Sequence, residues 1–235
     1  MAQALPPVWS LEWLLQLDGL SPEQLPTSIR DDPRTHLGVN NASGAAVART
    51  LALSRSAGSL IRNLDADDVL LPGALARDIS ILQEHDNVGW VCSQALDLNE
   101  DGSVAAWPYD LPSEGVVALG WAYRYWLTNE YRLPMVPGTI CIRRQLLEAL
   151  GGWMALPASE DTGMLLSAGV ISPGYFVKHP SMLYRKHPQQ STAQGANATR
   201  QLVEDRYRLI RRRVDAIVAL QRFRDGLARQ ERDKI

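Results

Sequence analysis

The sequence predicts an α/β domain with a largely parallel sheet flanked by helices, followed by a helical tail. Three observations point there. Short apolar runs alternate with stretches of helical spacing along most of the chain. The helix-like stretches meet glycine at their ends or proline at their starts, as helices do. Acidic residues gather at the carboxyl ends of two of the apolar runs, where open α/β sheets hold ligands.

Taken in order, Leu11–Leu17 (LEWLLQL) is an apolar run closed by the turn dipeptide Asp18-Gly19, and reads as a strand. Ser21–Arg34 is punctuated by proline and reads as a loop. Small and apolar residues recur at helical spacing from Ser43 to Ala57, with Gly58 placed to end the helix. Ser59–Leu64 is a buried strand that delivers Asp65-Ala66-Asp67-Asp68 at its carboxyl end. Pro72 opens a helix over Gly73–Glu84, and Gly89–Asp97 alternates as a strand before the turn Asn99–Gly102. Pro137–Arg143 is a further short strand, with a helix through Leu150 capped by Gly151-Gly152. Pro188–Thr199 is polar and marks the boundary between a domain over 1–199 and a helical tail over 200–235.

Composition removes several classes of function. The chain has 235 residues, 46% apolar and 21% charged, enough for a full core without staples. Two cysteines, Cys92 and Cys141, cannot build a disulfide scaffold or a cysteine-based zinc site, and they read as buried thiols. No apolar run approaches the roughly 18–20 residues that span a bilayer, and MAQALPPVWS lacks the pattern of a secretory signal. A cytoplasmic location is expected, with the inner face of the membrane as an alternative. Net charge of −2 argues against nucleic acid as a partner. That average hides a tail over 200–235 of about +5 and a remainder of about −7.

Three carboxylates within four residues repel one another and lose solvation together after an apolar strand. A hard divalent cation is the natural offset, and the small Ala66 between Asp65 and Asp67 leaves room for a diphosphate. The competing reading is an acidic cap for the helix that begins near Pro72.

The wider stretch SGAAVARTLALSRSAGSLIRNLDADDVLLPGALARDISIL resembles the nucleotide-sugar half of family 2 glycosyltransferases. EWLLQLDG, GTICIRRQLLEALGGW and Ser159-Glu160-Asp161 continue the likeness in order, over roughly residues 11–192. The resemblance implies the GT-A fold, a Rossmann-like architecture with a mixed, mostly parallel sheet, and an inverting hexosyltransferase-type activity. It implies Mn²⁺ or Mg²⁺ as cofactor and a UDP-, GDP- or dTDP-sugar as donor. The acceptor would be a hydroxyl on a saccharide, a lipid-linked saccharide or a small molecule.

The same resemblance assigns roles residue by residue. Asp18 would hydrogen-bond the donor base, or else serve only as a turn residue. Arg49 would lie near the diphosphate, or be a solvated helix arginine. Asp65 would approach the ribose or the metal's water shell, Asp67 would ligate the metal, and Asp68 would cap the next helix. Asp161 would be the base that deprotonates the acceptor, kept ionised by a helix amino terminus beside Glu160. Gly152 would form the acceptor-side turn, with Trp153 a sugar platform or a core tryptophan. Tyr184-Arg185-Lys186-His187 resembles the element that often closes the domain, with Arg185 on phosphate and His187 on the metal. The surface-turn reading stands beside that one, and His36, His85 and His179 read as structural or exposed.

Two departures stand out. Thr50 occupies a position where the family usually has Asn. The base-binding Asp is already residue 18, so the family's first strand and helix are expected to be absent, leaving apolar sheet exposed. A truncated product, a gap filled by another segment or subunit, and a non-catalytic binding or scaffold protein all follow as alternatives. A nucleotidyltransferase-like enzyme is a third reading, but it requires a glycine-rich basic loop that is not seen near the start. In the tail, Leu202, Tyr207, Leu209, Ile210, Val214, Ile217, Val218, Leu220, Phe223 and Leu227 form apolar stripes among arginines. Docking on the domain, self-association and contact with anionic lipid are the readings.

Overall fold

The computed structural model describes residues 3–107, 111–190 and 199–232, with side chains to residue 225. The strands are β1 Trp13–Asp18, β2 Thr35–Asn40, β3 Leu60–Arg62, β4 Val69–Leu70, β5 Trp90–Leu98, β6 Val104–Ala106, β7 Gly115–Val117, β8 Cys141–Arg143 and β9 Gly174–Arg185. The α-helices are α1 Thr27–Arg30, α2 Ala45–Leu53, α3 Ala74–Glu84, α4 Trp121–Thr128, α5 Arg144–Ala149, α6 Glu160–Ile171 and α7 Arg200–Arg232.

The main sheet runs β3-β8-β5-β9-β4, with β6 on β5 and β7 on β9, and β1-β2 form a separate two-stranded ladder. The two longest ladders, β1 with β2 and β5 with β9, are parallel; the short ones are antiparallel. The result is a mixed sheet with helices on both faces. Among the described residues nothing pairs with the second edge of β1 or of β3. The preceding segment lies elsewhere, with Leu5 and Leu11 packed against Leu64, Leu70 and Leu75.

Strand alternation sorts the core into two layers. Trp90, Cys92, Ile142 and Phe176 point towards Leu147 of α5 and Met164, Leu165 and Ala168 of α6. Val91, Cys141 and Val177 point the other way, onto Leu82 of α3. Gly174 is required where β9 passes the Trp90 ring, because a Cβ there would sit 2.2 Å from a ring carbon.

α6 has no polar face beyond its first turn, and every residue from Gly163 to Val170 is buried. Such a helix needs cover all round. The sheet covers one side, and α4 with α7 covers the other through Trp126, Ile210 and Val214. The tail therefore docks on the domain along Tyr207, Ile210, Val214, Ile217 and Val218. Of its expected apolar stripe, Leu227 lies outside the residues whose side chains are described, as residues 191–198 of the predicted boundary lie outside the described chain.

Several boundaries differ from expectation for local reasons. α2 ends at Leu53 and not near Gly58, because the Ser54 and Ser56 hydroxyls take the Leu51 and Leu53 carbonyls. The Ala57 and Gly58 amides turn to the Glu12 carboxylate at 2.7 and 2.6 Å. The strand expected over Pro137–Arg143 begins only at Cys141, since Pro137–Thr139 form a 3₁₀ turn. The Thr139 hydroxyl holds that turn to β5 by bonding Ser93.

Beneath the acidic loop lies a buried ion pair. Arg62 and Asp78 meet at 3.0 Å with side chains 7% and 1% exposed. The guanidinium also donates to the Thr139 carbonyl and to the Ser181 hydroxyl. Arg62 is the last residue of β3, so this pair fixes where the chain leaves the sheet towards Asp65. Asp78→Ala strands a buried cation, and a loss of about 3–5 kcal/mol is expected in denaturant unfolding.

Candidate active site

Parallel pairing sets Asp18 opposite Asn40 at the ends of β1 and β2. The Asn40 amide donates to Asp18 Oδ1 at 2.5 Å, and the backbone N–H groups of Ser43 and Gly44 reach Oδ1 and Oδ2 at 2.8 Å each. Led by the Ser43 bond, these contacts hold the Asp18 carboxyl below its ordinary range. Asp18 thus folds the loop that opens α2, whose cap residue Gly44 has φ +90°. Among the described residues Oδ2 accepts one bond, which leaves it a second lone pair.

The acidic loop is clamped to the end of β9. Arg185 N–H donates to Asp68 Oδ1 at 3.0 Å, and Arg185 Nε donates to the Asp67 carbonyl at 2.8 Å. His187 Nε2 and Asp67 Oδ2 lie 2.9 Å apart, and that hydrogen bond raises the imidazole pKa. Burial, with Asp65 and Asp67 nearby, pushes the Asp68 carboxyl up to about 7 against the pull of the Arg185 N–H. Asp68 therefore does not cap α3 as expected. Gly73, at φ +77°, holds that position, and Asp68 is drawn to the free amide of Arg185.

Arg49 joins the two halves of the site. From α2 its Nη1 donates to Glu160 Oε1 at 2.7 Å and its Nη2 to Asp65 Oδ1. Its side chain is 15% exposed, so it is not a solvated helix arginine. Glu160 and Asp161 form the first turn of α6. Asp161 Oδ1 accepts the Thr162 N–H at 2.6 Å. A helix amino terminus alone would hold Asp161 low, but burial and the Glu160 charge outweigh it and push the carboxyl up to about 6.

In the turn after α5, Gly152 has φ +75°, and a Cβ there would lie 2.9 Å from Thr50 Oγ1. The Trp153 N–H donates to the same hydroxyl at 3.3 Å. The departure at Thr50 thus has a place: a compact hydroxyl fitted to the turn. Trp153 itself is 6% exposed and belongs to the core, so it offers no ring face to a sugar. A cavity of about 260 Å³ lies between the start of α2 and the loop after Trp153, lined by Ser43, Gly44, Val47, Leu156, Pro157 and Glu160.

Sequence reasoning named Asp18, Asp65, Asp67, Glu160, Asp161 and Arg49, and the fold places Arg49 between Asp65 and Glu160. It missed Asn40 and the Ser43 and Gly44 amides, whose only signal was the short alternating run THLGVN ahead of a small-residue loop. Among the described residues no trio of His, Cys, Asp and Glu is placed to hold a metal. Asp67 and His187 form a donor pair at 2.9 Å.

No protein-family model matches the chain, and no curated protein matches it in sequence. Solved structures do. S. aureus TarS 1–349 in complex with UDP-GlcNAc is similar over 88% of this chain and 61% of its own, at TM-score 0.63 and 16% identity. The chain has the GT-A fold. TarS 1–349 in complex with UDP is similar over 75% of this chain and 52% of its own, at TM-score 0.58 and 16% identity. S. aureus TarS is similar over 76% and 31%, at TM-score 0.54 and 14% identity. The chain spans 61% or less of the length of these three structures. In the GT-A arrangement here, the loop after β3 and the start of α6 meet around Arg49, while the end of β1 holds the start of the same helix α2 through Ser43 and Gly44.

The raised Asp161 pKa carries a stability signature. A carboxyl at about 6 in the fold holds its proton where an ordinary Asp has lost it, so its contribution is present below pH 4 and is lost as pH rises through 6. Asp161→Asn should match the parent chain near pH 4 and exceed it at pH 8 by on the order of 1–2 kcal/mol after solvent screening, read from paired melting curves.

Proposed function

We propose that this chain is an inverting, metal-dependent glycosyltransferase that moves a sugar from a nucleoside diphosphate sugar to a hydroxyl acceptor. The observation that carries the reading is the Arg49 bridge, which brings the acidic loop and the Glu160-Asp161 pair into one site. The TarS complexes with UDP and UDP-GlcNAc support a uridine donor in particular.

The donor base sits over the β1 end, against the free lone pair of Asp18. Asp65 faces the ribose, and Arg185, whose Nη groups make no bond among the described residues, takes a phosphate oxygen. Asp67 and His187 suit a hard divalent ion, Mn²⁺ or Mg²⁺, because such ions take one or two protein donors and complete their shell from phosphates and water. When bound, the ion supplies charge neutralisation at the leaving diphosphate. The acceptor approaches beside Glu160, with Gly152 shaping the turn behind it. Its oxygen bonds to the anomeric carbon as the bond to the diphosphate breaks from the opposite face. Asp161 takes the hydroxyl proton. A carboxyl near 6 is ionised at neutral pH and is a stronger base than an ordinary Asp.

A thermal-shift panel of UDP, GDP, dTDP and CDP, each with and without Mn²⁺, tests donor binding. A Mn²⁺-dependent rise for UDP is expected, and it should vanish in Asp67→Ala. No rise for any nucleotide favours a non-catalytic binding or scaffold protein. Asp161→Asn should lower kcat by about 10²–10⁴-fold while the UDP shift stays as in the parent chain. The parent's kcat/KM should climb with pH to a plateau above about 6. Unchanged turnover in Asp161→Asn removes it as the base.

A further inference from the structure

α7 carries two apolar faces, and the domain uses only one. Ile210 and Val214 are fully buried against α4 and α6. Leu202, Leu209, Leu220 and Phe223 are between 49% and 64% exposed. Leu202, Leu209, Ala216 and Phe223 follow one another at seven-residue intervals, with Leu220 beside them, so they share one side of the helix. That stripe runs for about 31 Å at the rise of an α-helix.

The charges beside the stripe decide what covers it. Arg200, Arg208 and Arg211 are paired with Glu204, Asp205 and Asp215. Arg212 and Arg224 flank the stripe, both exposed, and neither has an acidic partner among the described residues. Residues 200–235 carry about +5 overall. A second copy is a poor match. A parallel pair centred on the stripe sets the exposed Arg212 against its own copy, and like charges across an interface are unfavourable. An anionic surface meets both requirements at once, since leucine and phenylalanine enter the acyl boundary while arginines reach the headgroups.

We infer that the outer face of α7 is a docking surface for an anionic lipid bilayer, with the helix lying in the interface plane. The attachment is peripheral, because no helix among the described residues is long and apolar enough to cross a membrane. It is independent of the chemistry proposed above, but it bears on the same region. Arg213 of α7 donates to the Leu150 carbonyl just before the Gly152 turn, and Ile210 lies against Gly163 near the start of α6. Docking through α7 therefore anchors the helix that packs against the Gly152 turn and the start of α6.

The test is co-sedimentation of the full chain with vesicles of phosphatidylcholine alone and of phosphatidylcholine with equal phosphatidylglycerol, at low and high salt. Binding to the anionic vesicles that fades at high salt is expected. The combined variant Leu209→Gln, Leu220→Gln and Phe223→Gln should weaken binding at least about tenfold. Arg212→Gln should weaken it about fivefold. All four positions are exposed, so melting temperatures should match the parent chain and separate lost docking from lost folding. No binding to either vesicle, equal binding to both, or full binding by the triple variant overturns the proposal. So does a dimer in sedimentation velocity that the triple variant dissolves, which assigns the stripe to a second copy.

Discussion

Crowding of carboxylates is the constraint around which this molecule is arranged. Asp65, Asp67, Asp68, Glu160 and Asp161 come from two distant parts of the chain and converge on one region. Left alone they would repel and force the loops apart. Arg49 answers two of them at once, His187 answers Asp67, and the Arg185 amide answers Asp68. Arg49 rides on α2, Arg185 ends β9 and His187 follows it, so compensating the charge also ties α2 and the end of β9 to the acidic loop, and α2 to α6. Among the described residues Asp161 forms no ion pair of its own, and its carboxyl is raised to about 6.

The scaffold below keeps that crowding in register. Arg62 and Asp78 pin the end of β3 from underneath, while Asp18 and Asn40 pin the end of β1 from the side. α6 holds its two acids in place because the rest of the helix is apolar and held between the sheet and α7. The tail is therefore part of what positions Glu160 and Asp161. Its outer stripe is surplus to that task, which is why it asks for a partner.

Much of the fold was legible in the sequence where one physical signal dominated. β1, β3, β5, α2 and α3 follow from apolar runs and helical spacing bounded by Gly, Pro or acidic turns. β9 was not legible, because Lys178-His179-Pro180 interrupts its apolar pattern and its pairing with β5 shifts register between Ser93 and Ala95. β4 has only two residues and exists through its pairing with β9. In the site, Asp65, Asp67 and Asp161 were legible as acids in a spaced pattern. Trp153 was ambiguous, since a large apolar ring suits a core and a sugar platform equally.

The sequence by itself determined the types and order of about half of the elements and the presence of acids after two strands. These depend on neighbours within a few residues, where periodicity and propensity act. Tertiary structure alone decided which charge meets which: Arg49 with Asp65 and Glu160, His187 with Asp67, Thr50 with the Gly152-Trp153 turn. It also decided that Asp161 rises to about 6 where its helix position would lower it. Electrostatic energies follow distance and burial, and both depend on which segments the fold brings together, often from more than a hundred positions apart in the chain, as for Arg49 with Glu160 and His187 with Asp67.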